Sequence, residues 1–112
     1  MTPETIVQHQ LDAYNRRDLD AFLAVYSDTV QVYRLPALEP ALFGKAQLAE
    51  FYGSKRFTLP DLHAELLSRI VMGNKVIDHE RIRGLGPQPV EAMAIYSIVA
   101  GKIERAWFLS PD

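Results

Sequence analysis

The chain has 112 residues, of which 48% are apolar and 23% charged, and its formal net charge is -2. That length fits one domain, residues 1–112, with one real core, and the charge balance argues against a broadly basic surface for nucleic acid or an anionic membrane. The absence of cysteine rules out disulfides, thiolate nucleophiles and cysteine metal sites.

The opening Met1-Thr2-Pro3-Glu4-Thr5 has no basic stretch followed by an apolar run, so no signal peptide is expected. No apolar run is long enough to cross a bilayer, and a cytoplasmic location is the expectation. Thr2 can cap a first helix, Pro3 suits its first position, and Glu4 favours its positive end. Val7, Leu11 and Tyr14 share one face of it. Asn15-Arg16-Arg17-Asp18 breaks that pattern, and Asp18 caps a second helix carrying Leu19, Phe22, Leu23 and Tyr26 as its stripe. Residues 29–35 are rich in β-branched and aromatic side chains and read as a strand. Residues 35–43 hold Pro36 and Pro40 and read as an apolar loop. A third, short helix follows Gly44, with Leu48, Phe51 and Tyr52 on one side and Gly53 as its expected end.

The second half reads as strands. Residues 62–72 and 75–84 flank the turn signal Gly73-Asn74, and residues 90–99 and 103–109 flank Ala100-Gly101. Residues 84–89, Gly-Leu-Gly-Pro-Gln-Pro, form a loop between the two hairpins. Helices first and a strand meander afterwards is an α+β order.

A tight turn at Gly73-Asn74 sets Arg69 opposite Asp78 and Leu67 opposite Glu80, with Val71, Val76 and Ile82 on the same face. Ile70, Ile77, His79, Arg81 and Arg83 take the other face. Both faces mix apolar and charged groups, so alternation alone does not choose the inner one. In the second hairpin a two-residue loop pairs Tyr96 with Arg105, whereas a bulged three-residue loop pairs Tyr96 with Glu104 and Ala94 with Ala106. The bulge is favoured because it gathers Ala92, Ala94, Tyr96, Glu104, Ala106 and Phe108 on one face. Met93, Ile95, Ile103 and Trp107 then form an apolar opposite face, expected to seat a second copy of the chain.

The run Tyr14-Asn15-Arg16-Arg17-Asp18-Leu19-Asp20-Ala21-Phe22, then Gly44-Lys45-Ala46 leading to Glu50-Phe51-Tyr52, then Gly101-Lys102-Ile103 with Trp107-Phe108, resembles the nuclear transport factor 2-like superfamily. Within it the chain is most similar to the SnoaL-like and ketosteroid-isomerase-like branch. The resemblance implies a cystatin-like α+β roll: a cone of three N-terminal helices packed on a strongly curved, mainly antiparallel sheet, with a pocket inside. It also implies homodimers, commonly through the outer sheet face.

The ketosteroid isomerases of that family use a general-base Asp, with a Tyr and a protonated Asp that bind the developing oxyanion. Alignment on the Asn15/Asp18 turn puts the Tyr position at Gln10, the base position at Arg34 and the second Asp at Ala94. Arg34 stays protonated and cannot abstract a proton, so that constellation is not expected to work here.

The inward positions of the same alignment include Asp78, Glu80 and Ile82. Arg34 with Glu80 or Asp78 is therefore a candidate charge pair deep in the cone. In a functional site Arg34 anchors a carboxylate or carbonyl and Glu80 or Asp78 is the acid-base group; as plain structure the three form an ion pair that offsets its own desolvation. Tyr14, Tyr52, Tyr96, Gln10 and Phe108 are candidate ligand contacts, although tyrosines at helical or strand spacing more often simply build the core. His79-Glu80-Arg81-Ile82-Arg83 begins like a zinc motif, but Arg83 stands at the second histidine and the stretch reads as strand, so no metal is expected. No phosphate loop or dinucleotide fingerprint is present and no cofactor is expected. Arg16-Arg17 and Lys55-Arg56 read as solvated basic pairs.

Two functions follow from this reading. One is a pocket for a small apolar or carbonyl-containing ligand, with isomerase-, cyclase- or hydrolase-like chemistry as its enzymatic form. The other is a non-catalytic homodimeric binding or assembly module whose interior is filled by its own side chains.

Overall fold

A computed structural model describes residues 1–111. The elements run α1 (Pro3–Arg16), α2 (Leu19–Ala24), β1 (Tyr26–Arg34), β2 (Leu42–Phe43), α3 (Lys45–Lys55), β3 (His63–Met72), β4 (Lys75–Arg83), β5 (Val90–Val99) and β6 (Lys102–Leu109). The six strands form one sheet in the order β2-β1-β6-β5-β4-β3. Only β1 and β6 run parallel; the other neighbours are antiparallel. The fold is therefore α+β with a mixed sheet, and α3 follows β1 and β2 rather than joining the first two helices.

Thr2 caps α1 by accepting from the Thr5 amide at 3.1 Å, and Pro3 opens the helix. Arg17 ends it in the left-handed region at φ 56°. The next residues tie the helices to the sheet. Asn15 both donates to and accepts from the backbone of Ala64, at 3.0 and 2.7 Å, and Arg17 donates to the Leu62 carbonyl at 3.1 Å. Asp18 caps α2 through the Ala21 amide at 3.1 Å. The break in the helical pattern is thus the joint that fixes α1 against β3.

Tyr26 belongs to β1, not to the stripe of α2. The Val25 carbonyl accepts from the Ile103 amide at 2.9 Å and Tyr26 pairs with Ile103, so the sheet captures the chain there. Gly53 does not end α3. It lies inside the helix with Leu19 Cδ2 3.3 Å from where a Cβ would stand, so its missing side chain lets α2 and α3 approach. Leu42–Phe43, expected in a loop, adds a short edge strand to β1.

The first hairpin turns at Gly73-Asn74 and sets Arg69 opposite Asp78 as expected. A bulge between Leu66 and Ser68 then makes Leu66, not Leu67, the partner of Glu80. Val76, Asp78 and Glu80 are buried on the inner face, which settles the choice that alternation left open.

The second hairpin follows neither expected register. Ala100 and Gly101, at φ 52° and 77°, form a two-residue turn with Val99 opposite Lys102 and Ile98 opposite Ile103. A register shift past Ile103 then accommodates one extra residue, so Ser97 pairs Arg105, Tyr96 pairs Ala106 and Ala94 pairs Phe108. The shift exchanges two neighbours. Ile103 points into the core at 0% exposure, and Glu104 reaches the Thr29 hydroxyl at 3.0 Å. Ile103 therefore leaves the expected outer apolar face, which keeps Met93, Ile95 and Trp107. Tyr33 of the same chain stacks on Trp107, with ring centroids 5.9 Å apart and planes 13° from parallel.

Phe22 is fully buried and touches the rings of Tyr14, Tyr26, Tyr52 and Phe57 at centroid distances of 4.7–6.3 Å. The cluster joins α1, α2 and α3 to β1 through Tyr26.

Candidate functional site

Beside the aromatic cluster the structure leaves a cavity of about 360 Å³. Helix α1 contributes Gln10, Leu11 and Tyr14; α3 contributes Phe51 and Tyr52, with Arg56 just beyond it. The sheet contributes Arg34, Ala64, Glu80, Ile82, Tyr96 and Phe108. The walls are mainly apolar, with a few polar groups converging on the space.

Glu80 is the charged group within this wall that water reaches least, at 6% exposure. Burial, and then the neighbouring charge of Asp78, push its carboxyl up to about 7, while Arg69 pulls the other way. No hydrogen bond or ion pair from the described residues engages that carboxyl. Gln10 is equally notable: its Oε1 is buried in the same wall without a hydrogen-bond partner among the described residues. Buried acceptors rarely stay unpaired, so Gln10 Oε1 marks where a ligand or ordered water is received beside Glu80.

Three tyrosines complete the polar set. Tyr14 and Tyr96 have hydroxyls raised by burial first, and the Tyr52 hydroxyl is pushed up to about 12 by burial even though Arg34 and Arg56 oppose the shift. All three are therefore hydrogen-bond donors at neutral pH. The Glu80 carboxyl adds to the upward push on Tyr52.

Arg34 stands apart from the expected deep charge pair. It lies at the exposed end of β1 and makes no ion pair with Glu80 or Asp78 among the described residues. Its guanidinium carbon sits 5.2 Å from the centroid of the Phe51 ring at the cavity rim. Asp78, grouped with Glu80 by sequence, does not line the cavity. Its two oxygens accept from Arg69 at 2.7 and 3.0 Å, and Arg69 also donates to Gln8 Oε1 at 2.9 Å. The buried charge pair thus exists, but its cation is Arg69 rather than Arg34. Cross-strand adjacency to Asp78 was the available signal, since the two residues face each other in the expected register.

Gln10, Tyr14, Tyr52, Tyr96 and Phe108 all contribute to the wall. Of the positions aligned with the isomerase site, Gln10 and Arg34 line the cavity, while Ala94 is fully buried. Arg56 is not the solvated residue that Lys55-Arg56 suggested. It lines the cavity with its guanidinium carbon 4.9 Å from the Phe51 centroid. His79 and Glu80 are strand neighbours on opposite faces, and His79 pairs with Glu91.

The family model of the SnoaL-like domain matches residues 7–106, which hold α2, α3, five strands and most of α1 and β6. The chain belongs to that family. It is similar in structure to an uncharacterised cystatin-fold protein from Novosphingobium aromaticivorans, with a TM-score of 0.86 and 21% identity over 96% of this chain and 97% of that one. A candidate ketosteroid isomerase from Kribbella flavida gives a TM-score of 0.84 at 18% identity, over 98% and 78% of the two chains. A candidate polyketide cyclase from Sinorhizobium meliloti gives 0.77 at 21%, over 93% of each. At these identities the likeness shows the fold alone. No curated protein matches the chain in sequence.

Proposed function

We propose that the chain binds a small apolar carbonyl compound in this cavity and moves a proton on it through Glu80. The observation that carries the reading is the Glu80 carboxyl: buried, facing open volume, without a protein partner, and poised near neutrality. A group with that balance is present in both forms at neutral pH. Ionised, it accepts a proton from carbon beside a carbonyl, and the electron pair moves onto the carbonyl oxygen. Protonated, it returns the proton at another atom. The hydroxyls of Tyr52 and Tyr14 are the donors nearest in kind to those that hold a developing oxyanion. The candidate isomerase and cyclase among the structural neighbours are consistent with carbonyl chemistry in this fold.

An unfilled volume of about 360 Å³ is suited to a small ligand, which supports this reading over a core filled by its own side chains. The test is a thermal-shift screen against steroids, lactones, aromatic carboxylates and small ketones, repeated on Arg34→Ala and Glu80→Gln. A ligand at about a hundred times its Kd adds about 2.7 kcal/mol to the folded state, a readily measured rise in Tm. The expected result is a compound that shifts the parent protein and is turned over only while Glu80 is present. A cooperatively melting protein that no compound shifts contradicts the reading, as does turnover that survives Glu80→Gln.

A further inference from the structure

The chemistry of the cavity rim narrows the ligand class. Arg34 and Arg56 come from different elements, the end of β1 and the residue after α3, yet both lie against the Phe51 ring. Their guanidinium carbons lie 5.2 and 4.9 Å from its centroid, within reach of the ring's attraction for cations. Neither guanidinium has a carboxylate within ion-pairing distance among the described residues. The acids that line the cavity are Glu80, which is buried deeper, and Glu91, which His79 engages. Arg56 spends one donor on the Lys55 carbonyl at 3.1 Å. Both arginines line the same cavity as Tyr52.

We propose that Arg34 and Arg56, seated on Phe51, form a clamp for a carboxylate, so that the ligand is an amphipathic organic acid. The acid group is held at the rim and the apolar body fills the cavity toward Glu80, Gln10 and Tyr96. Planar guanidinium forks match a carboxylate's two oxygens, which a neutral carbonyl does not offer. Separation of the cationic rim from the acidic interior also fixes direction. An acid entering carboxylate-inward would meet Glu80 instead of arginine. This inference rests on the cavity being a ligand site and adds the charge of the ligand to it.

The test uses 2-naphthoate and 2-acetonaphthone, which share a ring system and differ in charge, in titration calorimetry at neutral pH. The parent protein is expected to bind naphthoate about tenfold more tightly than the ketone. Arg34→Ala/Arg56→Ala is expected to close that gap by weakening naphthoate alone. Arg34→Lys/Arg56→Lys is expected to close it in part, because the charge remains while the planar fork is lost. Raising the ionic strength of the parent protein should weaken naphthoate and leave the ketone unchanged. That series stands without any variant. Equal affinities in the parent, a gap that survives the alanine pair, or a salt-independent naphthoate affinity overturns the clamp. In each of those cases ketone binding leaves the ligand-site reading standing. Failure of both probes to bind overturns the clamp and that reading together.

Discussion

Glu80→Gln is expected to make the folded protein more stable by about 3 kcal/mol at about pH 8, while abolishing proton transfer to a bound ligand. The carboxyl has two environments. In the unfolded chain it ionises near its ordinary value of 4.5; in the fold, burial and Asp78 push it up to about 7. Between those values the native state holds a proton that the unfolded state has released. Stability therefore falls as pH rises through this window, and the loss is complete above about 7. Glutamine keeps the shape and cannot ionise, so it escapes the loss. Urea denaturation of both proteins across pH reads this directly. The curves should lie together near the ordinary carboxylate range and separate progressively toward neutrality. Parallel curves would mean that Glu80 ionises in the fold as it does in water. A variant that gains stability and loses turnover is the trade expected where a strained acid is kept for function.

Arg69→Ala is expected to cost 3–5 kcal/mol, on the order of magnitude for breaking a buried pair by removing one partner. Asp78 has 0% exposure, and both of its oxygens are held by the Arg69 guanidinium at 2.7 and 3.0 Å. Without Arg69 its charge has no counterion in the core. The loss also reaches the site, because Arg69 opposes the upward push on Glu80. In Arg69→Ala the Glu80 carboxyl should therefore move further above its position in the parent. Replacing both partners, Arg69→Met with Asp78→Leu, should recover most of the stability, since the desolvation cost disappears along with the attraction. It should also bring Glu80 down, because the first charge pushing against it is gone. Chemical denaturation gives the stabilities. If Arg69→Ala unfolds at the same denaturant concentration as the parent, the pair does not hold this part of the sheet.

Much of the frame was legible in the residues because local rules and global packing agree there. The stripe Val7, Leu11 and Tyr14, the caps Thr2 and Asp18, and the turn at Gly73-Asn74 all stand as read. What escaped was register. The bulge in β3 and the extra residue in β6 carry no glycine to announce them, and each exchanges which neighbour points inward. Ile103 and Glu104 are adjacent, so only the pairing with β1 and β5 decides which of them is core.

The site divided along similar lines. Glu80 was found through its inward position in the family pattern, and the tyrosines through their hydroxyls at helix and strand spacing. Arg34 was assigned to the interior by its position in the family pattern, but the end of β1 carries it to the rim. Arg56 was hidden because a basic pair after a helix ordinarily faces water. Its contact with Phe51 depends on the backbone leaving α3 at φ -125° and ψ -54°, a conformation that the sequence does not encode locally. Arg69 was placed opposite Asp78, yet its role stayed unread because strand pairing does not say which face is buried.

With glutamate labelled at the side-chain carboxyl carbon, the Glu80 resonance can be followed against pH in the parent protein, assigned by its absence in Glu80→Gln, and followed again with 2-acetonaphthone added. The expected midpoint is at about 7 in the free protein, moved when the ketone occupies the cavity. A midpoint near the ordinary 4.5, unchanged by the ketone, would contradict it.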